Sequence, residues 1–310
     1  MTTLKDIAQR AGVTATTVSR VINNRGYISE GTRKKVYAAM EEMHYQPNEL
    51  ARAFSKQYTN TIGLIVPHIS HPFFIKVISN LESSAAEKGF KLLLCNSKEQ
   101  PEKEQDYLDM CISNRVAGIV LCSKYVQTRE FRKMNIPVVN LERGGDDDTI
   151  SVQCDNYQGG KLAAEHLIEC GCKNLLHFGG VAGKDMPADR RADGFSDVCK
   201  KAGIPYRILV SDRLQYGSMH YEDFIRRALQ EFPDVDGIFA SSDLIASQVI
   251  QVGAQMDKHV PEDIQLVGFD DVMISTVTTP QITTIHQPVE EMAELCVEYI
   301  TKSLKNEPVP

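Results

Sequence analysis

Apolar positions recur with a helical period over the first 43 residues and with an alternating strand and helix rhythm after residue 60. Leu4, Ile7, Ala8 and Ala11 fall three and four apart, on one face of a helix. Gly12-Val13 interrupts this run. Thr14 can then cap a second helix carrying Val18, Val21 and Ile22, and Ser29 a third with Val36, Ala39, Met40 and Met43 on one side. Three short helices around so small a core predict an all-α domain near the lower size limit for independent folding. Pro47 breaks the third helix, and Asn48 can cap a fresh one of about two turns, too short to stand alone in water.

From Thr61 the pattern changes. Short apolar runs at Thr61–Val66, Phe90–Cys95, Gly118–Leu121 and Pro137–Asn140 alternate with helical stretches at Phe73–Lys88, Lys103–Asn114 and Thr128–Met134. A second series follows. It has strands at Asn174–Phe178, Tyr206–Val210, Gly237–Ala240 and Gln265–Gly268, and helices at Tyr157–Cys170, Ala188–Ala202, Met219–Gln230 and Leu244–Gln255. Such alternation predicts parallel sheets covered on both faces, here two doubly wound α/β lobes, with ligands bound beyond the carboxyl ends of the strands.

Composition adds a direction. The 310-residue chain is 42% hydrophobic and 24% charged, ordinary for a globular protein, and its net charge is −7. That charge is uneven: residues 1–60 carry +4 and the remainder −11. A basic head on an acidic body points to nucleic-acid contact at one end. No apolar run reaches the length of a membrane-spanning helix, and the start lacks the features of a signal peptide, so a cytoplasmic protein is expected. Eight cysteines are scattered, with Cys170-Gly171-Cys172 the one close pair; reduced thiols are expected, and no zinc site.

The segment 4–23 is the most informative. Two amphipathic helices joined by a tight turn at Gly12 form a helix-turn-helix. The second exposes Ala15, Thr16, Ser19 and Arg20 away from its apolar side, small or hydrogen-bonding groups that can approach base edges. Arg20 can make paired hydrogen bonds to a guanine.

The string L-x-D-I-A-x-x-A-G-V-T-x-x-T-V-S-R-V-I-N resembles the signature of the lac repressor (LacI/GalR) family of bacterial transcription regulators. The likeness continues through Tyr45-Gln46-Pro47-Asn48, Ala51-Arg52, Thr61–Pro67, Asp155-Asn156, Arg191-x-x-Gly194-Phe195, Val267–Asp271 and Ile282–Pro288. It implies a small all-α helix-turn-helix head (1–46), a hinge helix and linker (47–60), and a two-lobed body (61–310) resembling periplasmic sugar-binding proteins. The first lobe would hold about 61–156 plus 289–310, the second about 157–288. DNA contacts would come from Ala15, Thr16, Thr17, Ser19, Arg20 and Asn23 in the major groove and from Asn48, Ala51 and Phe54 in the minor groove. Phe54 stands where the family usually has leucine; it keeps an apolar wedge but changes its shape. The resemblance also implies a final strand or two after the last helix, so the chain as given is expected to stop short of them.

The same likeness places effector contacts at Arg191, a fork for hydroxyls or a carboxylate, and Asp270, an acceptor. It adds Glu142 where aspartate is commoner, Ser242 where asparagine often lies, and His71, Phe73 and Phe74 opening the first body helix. Gln287 on the crossover is a weaker candidate. Phe73 fits an ordinary core position equally well, Arg190 reads as a surface neighbour, and Asp146–Asp148 as a solvated loop. Gly179–Asp185 resembles a phosphate loop at a glance, but its spacing is short and Asp185 replaces the hydroxyl residue. The expectation is a sequence-specific DNA-binding regulator, a repressor controlled by a small carbohydrate-like effector. It would be a homodimer on a near-palindromic operator, without catalytic residues, cofactor, metal or membrane contact. An activator or dual regulator of the same family stays open, with a sugar-modifying enzyme as a remote alternative.

Overall fold

The computed structural model describes residues 2–23, 25–45, 58–123, 125, 136–144, 149–181 and 186–309. The expected contacts Asn48, Ala51 and Phe54, the helix expected at 128–134 and the Asp146–Asp148 loop lie outside them. The chain divides into two units, Met1–Asn60 and Thr61–Pro310.

In the first unit, α1 (Leu4–Ala11) is opened by a capping box in which Asp6 and Thr3 satisfy each other's backbone amides. Gly12 closes it in the left-handed region at φ 66°, where a side chain would be strained. Thr14 caps α2 (Ala15–Ile22) and Ser29 caps α3 (Glu30–Glu42), each accepting the amide three residues on. Ile7, Ala8, Val18, Val21, Val36 and Ala39 form the buried centre.

The second unit holds two five-stranded, all-parallel sheets. The first contains β1 (Thr61–Val66), β2 (Lys91–Asn96), β3 (Gly118–Leu121), β4 (Val138–Leu141) and β5 (Ile150–Val152). The second contains β6 (Leu175–Val181), β7 (Tyr206–Ser211), β8 (Gly237–Ala240), β9 (Gln265–Asp270) and β10 (Thr283–His286). Their orders, β2-β1-β3-β4-β5 and β7-β6-β8-β9-β10, are the same path repeated. In both, the strand order reverses beside the first strand, the place where such folds bind ligands.

Both faces of β1 are buried, and alternate side chains pack on opposite faces. Ile62, Leu64 and Val66 pack under α4 (Pro72–Glu87) and α12 (Val289–Leu304), whereas Ile65 packs under α5 (Pro101–Ser113) with Leu108 and Cys111. The second sheet is covered on one face by α6 (Asn156–Glu169) and α7 (Arg190–Ala202). The other face carries α9 (Glu222–Glu231) and α10 (Asp243–Gln255). The chain crosses between lobes after β5 and again after β10, so the last helix completes the core of the first lobe.

The helix expected at Met219–Gln230 starts three residues later, and a separate short helix precedes it. The short α8 (Arg213–Ser218) ends at Met219, whose φ of 60° stops propagation, and α9 starts at Glu222. Three elements are not among those expected: β5 and α11 (Met273–Val277), which are too short to show a period, and β10, whose Thr283-Thr284-Ile285-His286 lacks an apolar run.

Candidate functional site

Two surfaces carry the expected chemistry. On the head, α2 exposes Thr16 and Arg20 to solvent. Ala15 and Ser19, expected to be exposed, are instead half-buried, Ala15 against the head's core because the first turn of α2 leans on it. Thr17 shares a hydrogen bond of 2.9 Å with the cap Thr14, and Asn23 Nδ2 donates to the Ser19 carbonyl at 2.9 Å, closing the helix. A β-carbon at Gly26 would sit 3.1 Å from Arg20 Nη2, so the glycine makes room for the guanidinium. Tyr27, 94% exposed beside it, is an aromatic that helical periodicity could not single out.

In the body, the carboxyl ends of both sheets enclose a cavity of about 140 Å³. All eight residues named from the sequence line it: His71, Phe73, Phe74, Glu142, Arg191, Ser242, Asp270 and Gln287. The first lobe supplies an aromatic wall. His71 caps α4, its Nδ1 accepting from the Phe73 amide at 3.3 Å, and Pro72 follows at the first helical position. Phe73 and Phe74 sit 5.2 Å apart edge-to-face and serve both the core and the cavity. Tyr216 of α8 reaches across from the second lobe to within 5.6 Å of His68 and 6.5 Å of His71, ring to ring. Burial, then His68 and Arg191, hold the His71 imidazole down at about 4, so it is neutral.

Arg191 opens α7. Two glycines bring it there: a β-carbon at Gly160 would lie 2.0 Å from the Arg191 carbonyl oxygen, and one at Gly194 would lie 2.0 Å from that of Tyr157. Helices α6 and α7 therefore touch backbone to backbone. The buried guanidinium stacks 3.5 Å from the Phe269 ring centre. Its Nε donates to Asn156 at 2.8 Å and its Nη1 to the Ser241 carbonyl at 2.6 Å. The fork that the sequence offered whole to a ligand is thus half committed to the fold.

Asp270 ends β9 at φ 105°, a conformation costing an aspartate roughly 1–3 kcal/mol. Gln287 Nε2 donates to its Oδ1 at 2.6 Å, and Arg191 Nη1 lies 4.0 Å away. Burial pushes this carboxyl up to about 7 against the pull of Arg191. Glu142 lines the cavity, but both its carboxylate oxygens are engaged by the protein. Its Oε1 accepts from the Cys154 amide at 2.5 Å and its Oε2 from Asn156 Nδ2 at 3.0 Å, so the side chain reaches the crossover segment after β5 and the start of α6. Ser242 caps α10, its Oγ accepting from Ile245 at 3.2 Å, with the hydroxyl proton left to donate.

Two residues of the cavity lining carry a side-chain oxygen with no hydrogen-bond partner among the described residues: Ser123 Oγ and Gln287 Oε1, on residues 3% and 1% exposed. Ser123 was not foreseen, because a lone serine after a strand carries no pattern. Asn156, the link between Glu142 and Arg191, was visible in the sequence as part of Asp155-Asn156 but not as a site residue. Arg190 is exposed, paired with Asp193 at 3.1 Å, as expected of a surface neighbour.

Comparison with known proteins finds relatives that cover both units. The family model of bacterial regulatory proteins, lacI family, matches residues 3–48, and that of the periplasmic binding protein-like domain matches residues 164–310. The chain is 34% identical over 309 residues to the ribose operon repressor of Halalkalibacterium halodurans, covering 100% of this chain and 92% of that protein. It is 35% identical over 309 residues to the sucrose operon repressor of Pediococcus pentosaceus, covering 98% and 92%. Among solved structures, it is similar to a periplasmic binding protein/LacI transcriptional regulator from Alkaliphilus metalliredigens complexed with D-xylulofuranose. That likeness has 32% identity and a TM-score of 0.72, over 81% of this chain and 93% of the other.

Proposed function

The chain belongs to the lacI family of bacterial regulatory proteins, and we propose that it is an operon repressor whose hold on operator DNA is set by a monosaccharide-like ligand in the cavity between its lobes. The carrying observation is that two residues of the cavity lining shared with Arg191 and Asp270 each keep a buried side-chain oxygen without a partner among the described residues, Ser123 Oγ and Gln287 Oε1. Leaving such atoms dry costs about 1–3 kcal/mol each, and ligand hydroxyls relieve that cost. The size fits: a cavity of about 150 Å³ admits one six-membered ring. The aromatic wall offers flat faces, and the opposite wall offers donors and acceptors, the division a sugar ring presents. Several operon repressors among the relatives are named for sugars, and one similar structure holds a pentulose.

In this reading Arg20, Thr16 and Ser19 approach bases in the major groove of each half-site. Thr17 and Asn23 hold the helix that presents them, and Asn48, Ala51 and Phe54 enter the minor groove. The protein works in the cytoplasm as a dimer, catalyses nothing, and needs no cofactor or metal. Ligand and operator each favour one arrangement of the lobes, which couples them by about 1–3 kcal/mol, a 5- to 150-fold change in affinity.

The test begins with thermal-shift screening of the full-length protein against ribose, xylulose, glucose, fructose and sucrose. Fluorescence anisotropy on a near-palindromic duplex then follows, with and without the sugar that binds. A single monosaccharide is expected to raise the melting temperature and change operator affinity at least fivefold. If none of these sugars moves the melting temperature, the ligand class is wrong. If one does and operator affinity ignores it, the regulatory reading is wrong.

A further inference from the structure

Lys76 lies on α4 in the first lobe, half-buried. Its Nζ donates to the carbonyl oxygens of Asp271 at 2.7 Å and Asp270 at 3.4 Å, both in the second lobe. The acceptors are consecutive residues at φ 105° and 51°, a backbone shape that residues other than glycine rarely take. The same turn is held from two further sides. The Val272 amide donates to the buried carboxylate of Asp243 at 2.9 Å, and His286 Nδ1 on β10 lies 2.8 Å from Asp271 Oδ2. Strand β10 leads directly into the second crossover. A strained turn of one lobe therefore carries a cavity side chain, Asp270, and is gripped by a cation of the other lobe. The contact of Tyr216 with His68 and His71 also spans the lobes, but through edge-on and tilted rings; Lys76 makes directed, charge-assisted hydrogen bonds.

We propose that Lys76 is a positioning residue that ties the Asp270 turn to the relative orientation of the lobes, and so links ligand binding to operator affinity. The inference rests on the cavity being the effector site. Any rotation of one lobe on the other must break or re-aim the two hydrogen bonds to Lys76. A ligand that draws on the Asp270 carboxylate re-aims the same two carbonyls. Both events act on one pair of bonds, which is the physical element that coupling needs.

Full-length Lys76→Met, which keeps the apolar stem, and Lys76→Arg, which keeps the donors, test this without any ligand. Hydrogen exchange is read over residues 268–275 and over the core strands, and operator affinity is read by fluorescence anisotropy. In Lys76→Met the turn is expected to exchange at least tenfold faster while the core strands keep wild-type rates, and the operator Kd is expected to change at least threefold. Lys76→Arg should return both readouts to within twofold of wild type. An unchanged turn in Lys76→Met, or an arginine that restores nothing, overturns the assignment. A faster turn with unchanged operator affinity overturns the coupling and leaves a simple brace. Failure of every sugar in the thermal-shift screen would sink the ligand class instead, and would leave these exchange rates as they are.

Discussion

Removing the Ser123 hydroxyl takes no hydrogen bond from the folded protein, because that oxygen has no partner among the described residues. Ser123→Ala should therefore keep its melting temperature within about 2 °C, yet weaken the ligand by roughly fivefold or more, the worth of one lost hydrogen bond of about 1 kcal/mol. Arg191 behaves otherwise. Arg191→Lys strands the Asn156 and Ser241 acceptors and empties the Phe269 stack, so it should lower the melting temperature by several degrees as well as abolish ligand binding. Differential scanning fluorimetry and titration calorimetry on the two variants check the contrast; equal melting temperatures would contradict it.

Acid acts on four buried groups of the body. Burial holds His71 and His177 at about 4, below their ordinary 6.5. The unfolded chain thus takes up two protons that the native state refuses, and this stability, full above about 6.5, is lost as pH falls toward 4. Burial pushes Asp270 up to about 7 and Asp243 up to about 6, so the native state takes up those protons first and gains stability as pH falls. Between about pH 7 and 5 the two pairs nearly cancel, and the melting temperature should stay almost flat. Asp270→Asn removes one opposing contribution, of the order of 2 kcal/mol, and should turn that plateau into a fall of several degrees. A variant as flat as wild type would show that these groups do not govern the profile.

At the scale of elements, the long ones were legible. Strand β1 and helices α1 to α3 stand where alternation, three-four spacing and caps put them. Short pieces such as β5 and α11 carry too few residues to show a period, and Met219 gave no sign of the left-handed turn it occupies. The cavity was legible only through family resemblance: residues 71, 142, 191 and 270 come together by topology that no local pattern encodes. Nor could the sequence show that Arg191 would spend two donors on the fold, since Asn156 lies 35 residues away. Gly194 illustrates an element acting on the site from outside it. Gly194→Ala puts a methyl group into the Tyr157 carbonyl and must separate α6 from α7, costing about 1–3 kcal/mol by overpacking. It should also weaken ligand binding, although Gly194 does not line the cavity. Normal ligand affinity in a folded Gly194→Ala protein would disprove the dependence. On the head, Arg20→Ala should erase discrimination between operator and scrambled DNA by about 1–3 kcal/mol per half-site. Non-specific binding should survive on phosphate contacts. An unchanged specificity ratio at fixed salt would remove Arg20 from the reading surface.

For the whole molecule, the decisive feature is where the chain finishes its lobes. Val289, Met292, Ala293, Cys296, Val297 and Ile300 of α12 fill the face of the first sheet left by Ile62, Leu64 and Val66. A protein ending at Gln287 should keep the core of the second lobe but leave that face covered by α4 alone. It should bind a hydrophobic dye and lose hydrogen-exchange protection in β1 and β3, while β6 and β8 retain theirs. Protection retained in β1 would show that the first lobe closes without its last helix.

The same return of the chain sets an order of events on the ribosome. The reading head is made first, and all strands of the first sheet are complete by Val152, yet the helix that seals them arrives about 150 residues later. At roughly 5–20 residues per second, the nascent first lobe waits about 8–30 s with an apolar face that α4 only partly covers. During that interval the second lobe, which has its own helices on both faces, can mature ahead of the first. The newborn protein thus carries a DNA-reading end well before it has the closed cavity that would govern it.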